Sequence, residues 1–248
     1  MEKIILITGS SRGIGAATAI RAAKEGYKVC INYRENKAAA MQVAEQVRAS
    51  GAACLTIQAD VSKENEVLSL FEKIDKETGT LTALVNNAGI LEQQTGILGL
   101  DSSRLQRIWA ANIDSVILCS REAVKRMSTE RGGHGGAIVN VSSVAARLGA
   151  PGEYVDYAAS KGAVDSITLG LAKELAPWGI RVNAVRPGFI YSDIHASGGE
   201  PGRVDRLAAS LPMKRGGYPD EVAAAILWLL SADASYTTGS FLEVAGGR

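Results

Sequence analysis

Short apolar runs alternate along the chain with longer stretches in which apolar residues recur at helical spacing. Continuous runs of branched aliphatic residues are typical of strands that helices cover on both faces. These runs predict seven strands, at 4–8, 28–33, 53–58, 83–86, 137–142, 181–186 and 241–244. The stretches between them predict helices near 14–25, 37–49, 64–77, 103–128, 155–176 and 219–231.

Regular alternation of strands and helices predicts βαβ units. We therefore expect an α/β fold, a single domain over residues 1–248 with a doubly wound (Rossmann) parallel sheet of about seven strands and helices on both faces. The polar, glycine-rich stretch at about 188–217 has no comparable pattern. A loop of that length is typical of a substrate lid, although an ordinary surface loop fits the composition as well.

The composition excludes several classes of protein. With 27 basic and 26 acidic side chains, the formal net charge is +1, so neither nucleic acid nor membrane is expected as a partner. The sequence has no signal-peptide pattern and no apolar stretch long enough to span a bilayer. Three cysteines in apolar surroundings are typical of a reducing compartment, and two histidines without paired cysteines do not form a zinc pattern. We expect a cytoplasmic protein without a metal.

A glycine-rich turn follows the first predicted strand. Residues 8–15 read T-G-S-S-R-G-I-G and lead directly into an alanine-rich helix. Glycines let the backbone turn sharply and approach a pyrophosphate, and the helix N-terminus then offers free N–H groups to the anion. The turn predicts dinucleotide binding, against the alternative of an ordinary tight turn, through Gly9, Ser11, Arg12, Gly13 and Gly15.

The end of the second predicted strand should select the cofactor. An acidic residue there would accept hydrogen bonds from the adenosine ribose of NAD. The strand ends instead in Asn32, Tyr33 and Arg34, and Arg12 lies in the glycine turn. Two guanidinium groups suit a 2′-phosphate, so the sequence favours NADP(H) over NAD(H). Glu35 keeps NAD(H) open, unless it only stabilises the first turn of the next helix.

Tyr157 and Lys161 are four residues apart in a predicted helix and therefore share one of its faces. A tyrosine with its ordinary pKa of about 10 exchanges protons poorly at neutral pH, and a nearby ammonium lowers that pKa by favouring the phenolate. The pair predicts a general acid/base, although most such pairs are ordinary surface side chains.

Five motifs occur in order along the chain. They are the glycine turn, Asn86-Asn87-Ala88-Gly89, Ser142-Ser143, Tyr157-x-x-x-Lys161 and Pro187-Gly188. Together they resemble the short-chain dehydrogenase/reductase (SDR) family over essentially the whole chain. Within that family the chain is most similar to bacterial glucose-dehydrogenase-like and 3-oxoacyl-carrier-protein-reductase-like members. The resemblance implies an NAD(P)-dependent enzyme that interconverts a carbonyl and a secondary alcohol by hydride transfer.

The resemblance also implies the catalytic residues. Tyr157 would exchange a proton with the substrate oxygen, and Lys161 would lower the pKa of Tyr157 and hold the nicotinamide ribose. Ser143 would hydrogen-bond the substrate oxygen, with Ser142 left open because the interval to Tyr157 is one residue longer than usual. Asn112 would support a water relay to the lysine.

Further implied cofactor contacts follow the same motifs. The glycine turn, the residues at the end of the second strand, and the Tyr157–Lys161 pair are expected to contact the cofactor. The additional contacts that the resemblance implies are Ile14, Asp60, Val61, Asn86, Ala88, Gly89, Pro187, Gly188, Ile190 and Ser192. The expected substrate is a small carbonyl or alcohol, such as a sugar, a 3-oxoacyl compound or another ketone. The alternative is a catalytically silent NADP(H)-binding sensor or scaffold.

Two further expectations concern the lid and the assembly. His195 lies in the lid stretch, where it either touches substrate or is an ordinary loop residue, and His134 is expected to be a solvated loop residue. The predicted helices at 155–176 and 219–231 are apolar on more than one face, which predicts an oligomer. The family resemblance points to a homotetramer.

Overall fold

The branched aliphatic runs form one seven-stranded parallel sheet within residues 2–248, the part of the chain that the computed structural model describes. Met1, the first residue of the predicted domain, lies outside the described residues. The strands are β1 (Lys3–Ile7), β2 (Tyr27–Tyr33), β3 (Cys54–Gln58), β4 (Ala83–Asn86), β5 (Gly136–Val141), β6 (Ile180–Pro187) and β7 (Phe241–Val244). Their order is β3-β2-β1-β4-β5-β6-β7. The predicted α/β fold class is confirmed.

Helices connect the strands and cover both faces of the sheet. They are α1 (Gly13–Lys24), α2 (Lys37–Ala49), α3 (Glu64–Glu77), α4 (Ser102–Trp109), α5 (Ser115–Met127), α6 (Ala145–Leu148), α7 (Val155–Leu175), α8 (Ile194–Ser197), α9 (Arg203–Ala208) and α10 (Pro219–Leu230). None of these helices is long and apolar enough to cross a membrane. The cytoplasmic location stays a prediction.

Two predicted segments are wrong in detail. The predicted helix at 103–128 is two helices, α4 and α5, joined by a π-helical turn over Ala110–Asp114. The predicted uninterrupted loop at 188–217 contains α8 and α9, of four and six residues. Helices this short leave no periodic apolar pattern and are not stable by themselves, so the sequence gives no local signal for them.

Two apolar cores lie on opposite faces of the sheet. In β1, Ile5 and Ile7 pack into the core beneath α1, α2 and α10, whereas Ile4 and Leu6 pack into the core beneath α3 and α5. All four side chains are at most 2% exposed. Each contributes about 1.5–3 kcal/mol of hydrophobic free energy, which fixes the strand whose end carries the glycine turn.

Candidate active site

A cleft of about 870 Å³ opens at the carboxyl end of the sheet. The strand order reverses between β1 and β4, and ligands of doubly wound sheets bind at such a reversal. The cleft extends from the glycine turn after β1, past the segments that follow β4 and β5, to residues 188–217. We call residues 188–217 the lid segment.

The glycine turn has the backbone geometry that its sequence predicts. Gly9 and Gly13 have φ angles of +62° and +55°, a region that residues with a Cβ rarely adopt. A Cβ on Gly9 would also lie 2.9 Å from Cα of Ala88. The backbone N–H of Gly9 donates to Oδ1 of Asn32 at 3.1 Å, so the turn is fixed to the end of β2.

The N-terminus of α1 suits an anion. Arg12 is the N-cap but gives no side-chain cap, and the first turn of α1 contains no acidic residue. The first N–H groups of the helix and its dipole therefore favour a negative group above Gly13, which lines the cleft. The residues present thus fit the pyrophosphate of a dinucleotide.

Arginines lie at the end of the cleft beside β2. Nη1 of Arg12 is 4.0 Å from Oδ2 of Asp193, and Nη2 of Arg34 is 2.8 Å from Oε1 of Glu35. Both arginine side chains are more than half exposed. Exposed ion pairs of this kind are weak, so neither pairing prevents the guanidinium from turning to a phosphate.

The two adjacent serines point to different surroundings. Oγ of Ser142 donates to Oδ1 of Asp165 at 2.6 Å, and this serine is 2% exposed. Ser143 instead lies beside the side chain of Tyr157, whose pKa its hydroxyl lowers, and its Oγ accepts from the N–H of Ala145 at 3.1 Å. The geometry therefore places Ser143 beside the tyrosine, and Ser142 serves to connect β5 to α7.

Burial dominates the acid–base properties of the tyrosine and lysine. It raises the pKa of Tyr157 to about 12, against the opposing hydrogen bond from Ser143. It also lowers the pKa of Lys161 to about 8, partly offset by Asp165. Nζ of Lys161 donates to the carbonyl of Val141 at 2.8 Å and lies 5.6 Å from the centre of the Tyr157 ring. The pKa of Tyr157 is therefore above its ordinary value, because burial disfavours the phenolate.

Asn112 is held in the π-helical turn between α4 and α5, with 0% exposure. Its Oδ1 accepts from the N–H of Ile90 at 2.7 Å, and its Nδ2 donates to the carbonyl of Ile90 and to Oγ of Ser160. A Cβ on Gly89 would lie 3.2 Å from Oδ1 of Asn112 and 3.6 Å from Nζ of Lys161. Asn112 thus ties the segment after β4 to α7 beside the lysine.

Most of the predicted residues line the cleft, and three do not. Asn112 lies behind the residues that line the cleft, and Gly15 packs against Asn87. Asn86 donates hydrogen bonds to Ser120 and Asn140, away from the cleft. The predicted residues that line the cleft are Gly9, Ser11, Arg12, Gly13, Ile14, Asn32, Tyr33, Arg34, Asp60, Val61, Ala88, Gly89, Ser143, Tyr157, Lys161, Pro187, Gly188, Ile190 and Ser192.

Several cleft residues were not predicted as cofactor or catalytic residues, among them Asn87, Arg203 and Arg248. Nδ2 of Asn87 donates a hydrogen bond to the carbonyl of Thr8 at 2.8 Å. Its position next to Asn86 in the same motif could have identified it from the sequence. Arg203 and Arg248 also line the cleft. No local pattern marks either arginine, because each reaches the cleft only through the folding of the chain.

The lid segment is joined to the cleft wall around a buried arginine. Arg203, whose side chain is 8% exposed, forms an ion pair with Glu153. Its guanidinium lies 5.2 Å from the centre of the Tyr154 ring and 5.5 Å from that of Phe189, within the range of a cation–π contact. The hydroxyl of Tyr154 donates to the carbonyl of Gly198 at 3.0 Å. The lid is therefore closed over one end of the cleft.

Comparison with known proteins agrees with this geometry. Residues 9–248 match the family described as enoyl-(acyl carrier protein) reductase. The Escherichia coli K12 protein named uncharacterized oxidoreductase YgfF is 58% identical over 245 residues, covering 99% of both chains. The 3-ketoacyl-(acyl-carrier-protein) reductase of Brucella melitensis, solved with NADH, has a TM-score of 0.91 and 35% identity over 99% of this chain and 98% of its own.

A third similar protein is the acetoin dehydrogenase of Enterobacter cloacae, with a TM-score of 0.88 and 33% identity over 100% of this chain and 95% of its own. The chain belongs to the short-chain dehydrogenase/reductase family, as its motifs predicted. It is an oxidoreductase of a family that uses nicotinamide cofactors and acts on small molecules.

Proposed function

We propose that this protein is an NADP-dependent oxidoreductase that interconverts a carbonyl and a secondary alcohol, with Tyr157 as its general acid/base. The observation that carries the proposal is the Ser143–Tyr157–Lys161 cluster at the floor of a cleft whose other end is an anion-binding glycine turn. The glycine turn, Tyr157 and Lys161 would hold a nicotinamide dinucleotide, which would supply or accept the hydride of this interconversion.

The side chains perform the accompanying proton transfer. Ser143 donates a hydrogen bond to the substrate oxygen as negative charge develops on it. The hydroxyl of Tyr157 gives its proton to that oxygen, forming the alcohol O–H and leaving a phenolate. Because burial raises the pKa of Tyr157 to about 12, the tyrosine is protonated at neutral pH and ready for this step. Lys161 holds the nicotinamide ribose, and Asn112 positions the neighbouring segment.

Removal of the tyrosine hydroxyl tests the catalytic assignment. We expect Tyr157→Phe to lower kcat by about 10²–10⁴-fold, because general acid/base catalysis contributes that much. The dissociation constant for NADPH should change little, as measured by quenching of protein fluorescence. Wild-type turnover in this variant would overturn the mechanism. A wild-type protein that binds NADPH but turns over no carbonyl would instead support the sensor or scaffold alternative.

The cofactor preference rests on Arg12 and Arg34, which line the same end of the cleft. A charge-assisted hydrogen bond is worth about 1.5–3 kcal/mol, so loss of either guanidinium should lower the NADPH/NADH ratio of kcat/KM by about 10–100-fold. Arg12→Ala and Arg34→Ala should each show this loss, whereas Glu35→Ala should leave the ratio unchanged or raise it. A fall in NADH efficiency with Glu35→Ala would instead indicate an NAD enzyme.

We include a homotetramer in the proposal. Trp109 and Ile117 near the α4–α5 junction and Leu169 on α7 are each more than 40% exposed, as is Trp228 on α10. Large apolar side chains exposed on several separate helices suit contacts between copies of the chain. Sedimentation equilibrium at micromolar concentration should give four times the 26.0 kDa mass of the chain.

A further inference from the structure

His195 lies in α8 of the lid segment and lines the cleft. Its Nε2 is 3.1 Å from the carbonyl oxygen of Ile190. Its Nδ1 is buried and has no hydrogen-bond partner among the described residues. A buried polar atom without a hydrogen-bond partner is destabilising, so this nitrogen requires a partner that the described residues do not supply.

The contact with Ile190 decides which ring nitrogen carries the proton. A carbonyl oxygen only accepts hydrogen bonds, so Nε2 must be the donor. Burial lowers the pKa of His195 and keeps the ring neutral at physiological pH. In a neutral imidazole protonated on Nε2, Nδ1 has a lone pair and no proton. The group that fits Nδ1 is therefore a hydrogen-bond donor.

The surroundings of His195 place its ring at the lid end of the cleft rather than at the glycine turn. Its ring is 6.5 Å from that of Phe189, which also faces the guanidinium of Arg203. Glu153, another acceptor, lines the cleft in the same region and is paired with Arg203. The hydroxyl of Tyr154 donates its proton to the carbonyl of Gly198 in the lid, so its oxygen can only accept a further hydrogen bond. These acceptors lie beside the guanidinium groups of Arg203 and Arg248, of which Arg203 is already paired with Glu153.

We propose that His195 is a specificity-determining residue whose Nδ1 accepts a hydrogen bond from a hydroxyl group of the substrate, separate from the oxygen that reacts. The inference rests on the proposed function, because it assigns the substrate class of the same cleft: hydroxylated ketones and the corresponding diols. A simple ketone lacks the donor and leaves Nδ1 unpartnered. A site built to bind a hydroxyl discriminates against the analogue that lacks it for this reason.

The test compares cyclohexanone with 2-hydroxycyclohexanone and 4-hydroxycyclohexanone, each reduced with NADPH. We expect the wild-type protein to prefer at least one hydroxyketone by about tenfold or more in kcat/KM. His195→Phe keeps a ring of similar shape but removes the acceptor, and it should lower this preference about tenfold. His195→Asn, whose amide oxygen can accept, should restore part of it. His134→Phe changes the other histidine, on an exposed loop, and should have no effect on the preference.

Binding of 1,2-cyclohexanediol and of cyclohexanol to the NADP⁺ complex, measured by calorimetry, separates this inference from the proposed function. Turnover of all three ketones with equal efficiency, or equal losses on all three with His195→Phe, overturns the inference alone. Preferential binding of the diol that depends on His195 but is accompanied by no turnover overturns the proposed function alone. A His195→Phe variant that weakens NADPH binding instead assigns Nδ1 to the cofactor and overturns the inference. A wild-type protein that neither binds nor turns over any of these compounds counts against both.

Discussion

The two ends of the cleft are held together by different kinds of contact. At the glycine turn, neutral side chains bond directly to backbone groups of neighbouring strands: Asn32 accepts from Gly9 and donates to the carbonyl of Ala59 at 3.0 Å. At the lid end, charged contacts are more numerous: Arg203 pairs with Glu153, and Glu200 pairs with Arg203 and with Arg206. Neutral bonds from the hydroxyl of Tyr154 and the N–H of Gln94 to the carbonyl of Gly198 accompany them there.

This difference in contacts predicts a difference in local stability. Buried side chain–backbone hydrogen bonds break only when the strands separate, because each would leave an unpaired polar group behind. Exposed ion pairs exchange readily with water and salt, and segments held by them open at low free-energy cost. The glycine turn is therefore a fixed cradle, whereas we expect the lid, whose ion pairs are partly exposed, to open at a lower free-energy cost than the sheet.

The largest effect is expected at the fixed end. Asn32→Ala leaves the N–H of Gly9 and the carbonyl of Ala59 without partners, so we expect a loss of about 3 kcal/mol in the free energy of unfolding and weaker NADPH binding. Asn183→Ala is a matched control, because Asn183 is equally buried and bridges Thr237 and Ser240 away from the cleft. Urea denaturation should show similar losses for both variants. Equal weakening of NADPH binding in both would contradict a local role for Asn32.

A smaller change in the free energy of unfolding is expected from a substitution at Lys161, between the two ends of the cleft. The sign of this change depends on pH. Burial lowers the pKa of Lys161 to about 8, so the native state disfavours the ammonium at pH 7. Lys161→Met removes this desolvation penalty of about 3 kcal/mol, but it also removes the hydrogen bond to the carbonyl of Val141. We therefore expect the free energy of unfolding to rise by about 1–2 kcal/mol at pH 7.

The pH dependence provides the check on this lysine. Between pH 8 and 10.5 the unfolded chain still binds the proton that the native lysine has released, so wild-type stability rises by about 3 kcal/mol relative to the variant. Denaturant unfolding at pH 7 and pH 10.5 should therefore show Lys161→Met as the more stable protein at the lower pH and the less stable one at the higher. A constant difference between the two proteins would mean that Lys161 is not desolvated.

The smallest effect on global stability is expected at the lid. Glu200 accepts from Arg203, Arg206 and Gln94, and Glu200→Gln weakens all three contacts. We expect faster hydrogen–deuterium exchange in residues 194–208 with exchange in β1 and β2 unchanged, and 0.5 M salt should act in the same direction. Glu64→Gln makes the same charge change at an exposed pair with Arg121 and should leave the lid unaffected. Acceleration of exchange in β1 as well would show that the lid and the cradle open together.

The seven strands and most helix ends were predictable because their signals are local. A run such as Ile4–Ile7 is apolar on both faces only if helices cover both faces, and glycines at 9 and 13 are needed wherever the chain adopts positive φ. The lid was predicted as a segment but not in its structure. Arg203 is buried in it by contacts with Glu153 and Tyr154, fifty residues away in sequence, and no local pattern encodes such contacts.

The sequence alone determined the α/β alternation, the family and the residues that line most of the cleft, because apolar periodicity and turn chemistry act over a few neighbouring residues. Only the tertiary structure decided that Ser143 rather than Ser142 lies beside Tyr157 and that a π-helical turn holds Asn112 behind the cleft. It also decided that Nδ1 of His195 has no partner within residues 2–248. The burial that raises the pKa of Tyr157 is likewise a property of the folded chain. Desolvation and hydrogen-bond partnership depend on every element that surrounds a group, and that surrounding exists only in the folded chain.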